Sequence, residues 1–341
     1  MATIVAVRTG NWSDTSHVTG PWPGGSTPTT KPGTGDTVQS GAFIVTIDED
    51  VTVTLLNSTS SGYFAVTSAP TLPAVRAIIA DVLNGGTAFG ALRITNAEGL
   101  VTLTGNVTGG ATSYAAGIFN TSEMGDVIGD VIGGTGIGAS GIYMESGGTM
   151  GNVTGDVTGG AGESACGIYT DGGGVGDVIG DVTGGVGITA YGIYSNGGTI
   201  GDVIGDVTGG AGIIAHGIIN DGGGAMGDVT GDVTGGSGDR AYGIYTQTGG
   251  VMGDVYGALV CGTNGLFPIF GPFKLVANPA NVITVISSTD TPLTLSNDYP
   301  AEADVRDGVE YDRGTMTGEM AAGGNIGPVS IVIGGGGIRI S

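Results

Sequence analysis

Apolar and polar positions alternate along this chain in short runs, and the runs repeat. The clearest reads Gly201-Asp-Val-Ile-Gly-Asp-Val-Thr-Gly-Gly210. In an extended strand alternate side chains point to opposite faces. Val203 and Val207 then share one face, and Asp202, Ile204, Asp206 and Thr208 share the other. Stacked carboxylates could not be solvated inside, so valine faces inward and aspartate outward. Two glycines turn the chain, a second short segment follows, Ala215-His-Gly-Ile218, and glycines at 222–224 make a further corner.

The run opens at Gly125, Gly151, Gly176, Gly201, Gly227 and Gly253, in steps of 26, 25, 25, 26 and 26 residues. A fixed period of this size marks a solenoid, in which no layer can bury its apolar face alone. Stacking sets like over like. Val127, Val153, Val178, Val203 and Val229 form one core ladder, and Ile118, Ile142, Ile168, Ile193, Ile218 and Ile244 another. The expected fold is all-β, a right-handed parallel β-helix of about seven turns of 24–26 residues. An alanine ladder (Ala115, Ala139, Ala165, Ala190, Ala215, Ala241) runs three residues ahead of the isoleucines. Strict alternation would put the two on opposite faces. A bulge at the intervening glycine returns isoleucine to the core; without one, an isoleucine stripe would lie outside and mark a subunit interface.

Three regions are expected: an N-terminal β cap or docking region at 1–73, the β-helix at 74–258, and a small C-terminal β domain at 259–341 that closes the solenoid. Strands are expected at 3–7, 43–47 and 51–55 in the first region, and at 282–286, 292–295 and 329–333 in the last. Residues 73–83 have a proline start and an Asn84-Gly85 stop that would suit a helix. Asp81 nevertheless lies 25 residues before Asn106, so the segment is taken as a degenerate first turn.

Composition narrows the function. Glycine accounts for 74 of 341 residues but not at every third position, which excludes collagen, and a 40% hydrophobic content opposes disorder. A formal charge of -22 opposes binding to nucleic acid or anionic membranes, and no apolar run is long enough to span a bilayer. Cys166 and Cys261 occupy unrelated places in the repeat, which argues against a disulfide framework or a zinc site. The first residues lack a secretory signal, so the chain is expected to fold in the cytoplasm where it is made rather than pass through the Sec route.

Candidate chemistry is sparse. Two acidic ladders recur: Asp126, Asn152, Asp177, Asp202, Asp228 and Asp254, and Asn106, Asp130, Asp156, Asp181, Asp206 and Asp232. They could hold Ca²⁺, but a solvated face that discourages sheet-to-sheet aggregation is preferred, and no cofactor is expected. Phe119, Tyr143, Tyr169, Tyr194 and Tyr245 form a ladder that Ile219 interrupts. Such aromatics can carry sugars, although stacking along a β-helix is the commoner cause. One position varies within the repeat, and its Tyr191, His216 and Tyr242 are expected outside as a small contact patch. His17 and His216, the two histidines, lie near no nucleophile motif. Acidic pairs recur in every turn, so none stands out as a glycosidase pair, and no enzymatic activity is expected.

Two flanking segments add a resemblance. Gly10-Asn-Trp-Ser-Asp14, with Gly35-Asp-Thr-Val38 and Val45-Thr-Ile-Asp48, resembles the N-terminal strand module of phage structural proteins and bacterial surface β-helices. The segments 301–311 and 314–319 resemble a short C-terminal stretch of tailed-bacteriophage virion proteins. The resemblance implies a non-enzymatic surface component of a tailed phage particle, a capsid decoration or tail-associated protein. Its partners would be other virion proteins, in a homotrimer assembled in the host cytoplasm. A tailspike-like receptor-binding protein that grips a host glycan is the first alternative, and a bacterial surface adhesin the second.

Overall fold

The computed structural model describes residues 2–263 apart from 17–19, 24–30, 60, 62, 67–74, 85–89, 96–99, 112–113 and 247–248; beyond residue 263 it describes the backbone of short strands. Every regular element among the described residues is a β-strand.

A representative turn contains four strands: Val203–Ile204, Val207–Thr208, Ile218–Asp221 and Ala225–Met226. Each pairs in parallel with its counterparts one turn before and one turn after. Val203 lies opposite Val178 and Val229, and Ile218 opposite Ile193 and Ile244. The fold is thus a parallel β-solenoid of about 7 turns. The first sheet contains both valine strands of each turn, the second the isoleucine strand and the third the last short strand; they hold 20, 11 and 6 strands among the described residues.

The core is a set of ladders. Val127, Val153, Val178, Val203 and Val229 are fully buried, and so are Ile118, Ile142, Ile168, Ile193, Ile218 and Ile244. The isoleucines therefore line the interior, as the glycine bulge requires. A methyl group added at Gly192 would fall 2.6 Å from the Gly217 carbonyl oxygen and 2.8 Å from Val207 Cγ1, so only glycine fits there. Alanines 190, 215 and 241 are fully buried too and form their own small cluster. A further ladder comes from the third sheet, where Met124, Met150, Val175, Ile200 and Met226 are buried in register.

One glycine per turn reshapes the first sheet. Val75–Asn84 is a single strand, not a helix, and it pairs with both Leu100–Thr104 and Val107–Thr108. From Gly105 onward a glycine with φ between 140° and 154° cuts this strand in two at positions 105, 129, 155, 180, 205 and 231. A Cβ at Gly205 would sit 2.2 Å from the Gly180 carbonyl oxygen. The close approach excludes any side chain.

The N-terminal cap stacks in the same sheets. Thr3–Val5, Thr37–Gln39, Val51–Ser58 and Val75–Asn84 follow one another in parallel, as do Gly10–Asn11, Ile44–Thr46, Tyr63–Val66 and Leu92–Ile94. Trp12 and Trp22 meet edge to face at 4.7 Å, and Trp22 Nε1 donates to the Trp12 carbonyl at 2.9 Å. Buried Arg76 donates to the Ile47 carbonyl at 2.8 Å. At the other end Ile283–Ile286 extends the first sheet in parallel with Leu259–Val260, and Leu293–Leu295 follows antiparallel. Two antiparallel hairpins pair Glu310–Tyr311 with Met316–Thr317 and Ile331–Gly334 with Gly337–Ile340. The rest of the 301–319 segment lies outside the described residues.

Candidate functional surface

The outer face of the first sheet carries both acidic ladders, and the structure gives the acids a second task. Asp206 Oδ1 accepts a hydrogen bond from the backbone N–H of Asp232 at 2.8 Å, and Asp181 Oδ1 accepts one from Asp206 at 2.8 Å. The chain of contacts runs unbroken from Asp81 through Asn106, Asp130, Asp156, Asp181, Asp206 and Asp232 to the N–H of Ala258. The second ladder does the same from Asp126 through Asn152, Asp177, Asp202 and Asp228 to the N–H of Asp254. Along each strand, alternate N–H groups reach a carbonyl of the following turn, as Val207 N–H reaches Asp232 O. The aspartate N–H points back to the preceding turn, where the side-chain oxygen of the equivalent residue takes the place of a backbone carbonyl. Asparagine serves as well because the need is for an acceptor, not a charge.

This geometry changes how the acids should be weighed as ligands. One oxygen of each ladder carboxylate that caps the next turn is already engaged. No group of three or more metal-capable side chains converges among the described residues. A shallow depression beside the ladders is lined by Thr102, Glu123, Asp126, Thr149 and Met150. It offers carboxylates and threonine hydroxyls, with no histidine or lysine among its lining residues to activate them.

The outer face of the second sheet carries an aromatic column. Phe119 stacks on Tyr143 at 5.5 Å, Tyr143 on Tyr169 at 4.9 Å, and Tyr169 meets Tyr194 edge-on at 5.1 Å. Ile219 interrupts the ladder, and the variable position bridges the gap. Tyr191 touches Tyr194 at 5.6 Å and stacks on His216 at 5.6 Å, and His216 stacks on Tyr242 at 5.0 Å and on Tyr245 at 5.3 Å. The structure therefore brings Tyr191, His216 and Tyr242 together.

His216, however, is only 4% exposed, and Ala116, Ser140 and Cys166 at the same repeat position are buried as well. The expected solvent-facing position is therefore buried at these four residues and half-buried at Tyr191 and Tyr242. His216 Nδ1 accepts the Tyr242 backbone N–H at 3.0 Å, which fixes the ring within the stack. Burial, with Arg240 nearby, pushes its pKa down to about 4. Burial raises the Tyr191 hydroxyl and the Cys166 thiol, each to about 12. Neither is a nucleophile near neutral pH.

Stacked rings cover one another's faces and turn their edges outward. Sugars bind aromatic residues mainly through the ring face, so the column is a closed stack more than an open platform. No protein-family model matches the chain, and a search of curated proteins finds no match.

Proposed function

We propose that the protein is a non-enzymatic structural rod on the surface of a tailed phage particle, a homotrimer whose partners are other virion proteins. The observation that carries the structural half is the employment of its conspicuous side chains. The ladder acids cap the following turn, the aromatics stack on one another, and His216 accepts a backbone N–H. Side chains so engaged favour a stiff spacer over a reaction centre. The resemblance of the flanking segments supplies the particle, and the charge of -22 suits a face that repels neighbouring particles.

Antibody labelling of intact particles by electron microscopy tests the location. Decorated capsids or tails are expected, and unlabelled particles would refute it. Incubating the purified chain with host capsular polysaccharide tests the absence of catalysis, since any turnover would make it a glycan-cleaving spike.

A further inference from the structure

We propose that one corner of the solenoid is a self-association face that takes a second copy of this chain, parallel and in register. The corner follows the second valine strand of each turn. Bridges there align Ala161, Val186, Ala211 and Ser237, and beside them Ser164, Thr189, Ile214 and Arg240. Between these two columns runs a third, made of Ile137, Glu163, Ile188, Ile213 and Asp239.

Its most exposed apolar members are Val186 at 62%, Ile213 at 58%, and Ile188 and Ile137 at 50% each. Equivalent places hold Glu163, between Ile137 and Ile188, and Ser237 and Asp239 at the end of the patch, all exposed. The repeat does not demand aliphatics there; other exposed aliphatics, such as Ile128, Ile179 and Ile204, lie on the first sheet between the two aspartate ladders. The outer face of the first sheet carries the aspartate ladders, which would repel a copy of themselves. A chain with a charge of -22 can approach its own kind only where the acids withdraw.

Charge then favours a second copy, and apolar contact sets its direction. Arg240 is the single Lys or Arg between Arg93 and Lys274, and it stands at the end of this apolar patch beside Asp239. In a parallel pair each rung meets its own counterpart. Ile137, Ile188 and Ile213 face like residues, and Arg240 of one copy faces Asp239 of the other in both directions. Only the Glu163 rung sets like charges together. An antiparallel pair centred on Ile188 and Ile213 would bring Glu163 opposite Asp239 and leave Ile137 away from its counterpart. Either arrangement pairs the one cation, with Asp239 or with Glu163, and the parallel one keeps more apolar contact. From Ile137 to Asp239 the corner spans about 19 Å at ~4.8 Å per rung. A narrow corner of that height is expected to bury less than the roughly 1,200 Å² of stable interfaces, so the expected association is micromolar.

The inference does not depend on the particle-surface reading. Sedimentation equilibrium of the full chain across the micromolar range tests it, with melting curves to confirm that each variant folds. Reversible association is expected, with Ile213→Asp and Arg240→Asp each raising the dissociation constant about tenfold or more. The double swap Asp239→Arg with Arg240→Asp restores association, because the pair re-forms with its signs exchanged. Arg240→Asp alone still decides the matter if Ile213→Asp fails to fold. A monomer at every concentration overturns the proposal, as does association indifferent to these changes. Rescue of Arg240→Asp by Glu163→Arg would also overturn it, because it would show antiparallel packing.

Discussion

In the N-terminal turns the first sheet runs through strands of 8 and 10 residues, Val51–Ser58 and Val75–Asn84, whereas in the repeat it is cut into pairs of 2-residue strands. The N-terminal turns fill their interior with large, individual side chains: Trp12, Trp22, Phe64, Leu56 and the buried guanidinium of Arg76. The repeat fills its interior with valine, isoleucine and alanine, and supplies the missing backbone partner at each bend from an aspartate or asparagine oxygen. Unique packing holds the first region. Translational repetition holds the second, where a defect in one rung is felt by the rungs on both sides.

Breaking a ladder should have the largest effect. Ile193→Asp places an unpaired charge at a fully buried rung and is expected to cost more than about 4 kcal/mol, with loss of cooperative thermal unfolding. An unchanged melting curve would contradict the core assignment. Trp22→Ala should cost about 3–5 kcal/mol but act locally. Hydrogen exchange is expected to quicken in the N-terminal turns and to stay slow around Val203; uniform loss would mean that the two regions unfold as one. Gly205→Ala meets a positive φ of 154° and the Gly180 carbonyl, and about 2–4 kcal/mol of destabilisation is expected in chemical denaturation.

His216 sharpens the comparison through pH. Its folded pKa, about 4, lies below the ordinary value of 6.5, so the unfolded chain binds the proton first as pH falls. The stability is fully present above about pH 6.5 and is lost as pH drops toward 4, by about 3 kcal/mol if the whole shift is expressed. His216→Phe keeps the stacking but not the titration. Its stability should decline less steeply across that window, and equal slopes would refute the assignment.

Much of the solenoid was legible because its signals are periodic. The valine and isoleucine ladders repeat at 24–26 residues, and Asp81 falls in frame with Asn106, so even the helix-like 73–83 segment could be placed in a turn. The methionine-rich third sheet was not anticipated, since its strands are 2 residues long and sit between glycine corners. The signal was nonetheless present in Met124, Met150, Val175, Ile200 and Met226 at the repeat spacing. At the aromatic column, variation at the 191 and 216 positions suggested exposure. The structure instead buries Ala116, Ser140, Cys166 and His216 there and leaves Tyr191 and Tyr242 half-buried. The capping role of the acids needed the geometry. In hindsight, the free exchange of Asp with Asn at 106 and 152 points to a required acceptor oxygen.

That role is tested most directly by amide hydrogen exchange at Asp232 in the wild type, Asp206→Asn and Asp206→Ala. The side-chain oxygen of residue 206 should protect this amide in the first two proteins, while Asp206→Ala exposes it to rapid exchange and loses about 1 kcal/mol. Equal protection of the Asp232 amide in all three would show that the acids do not hold the turns together.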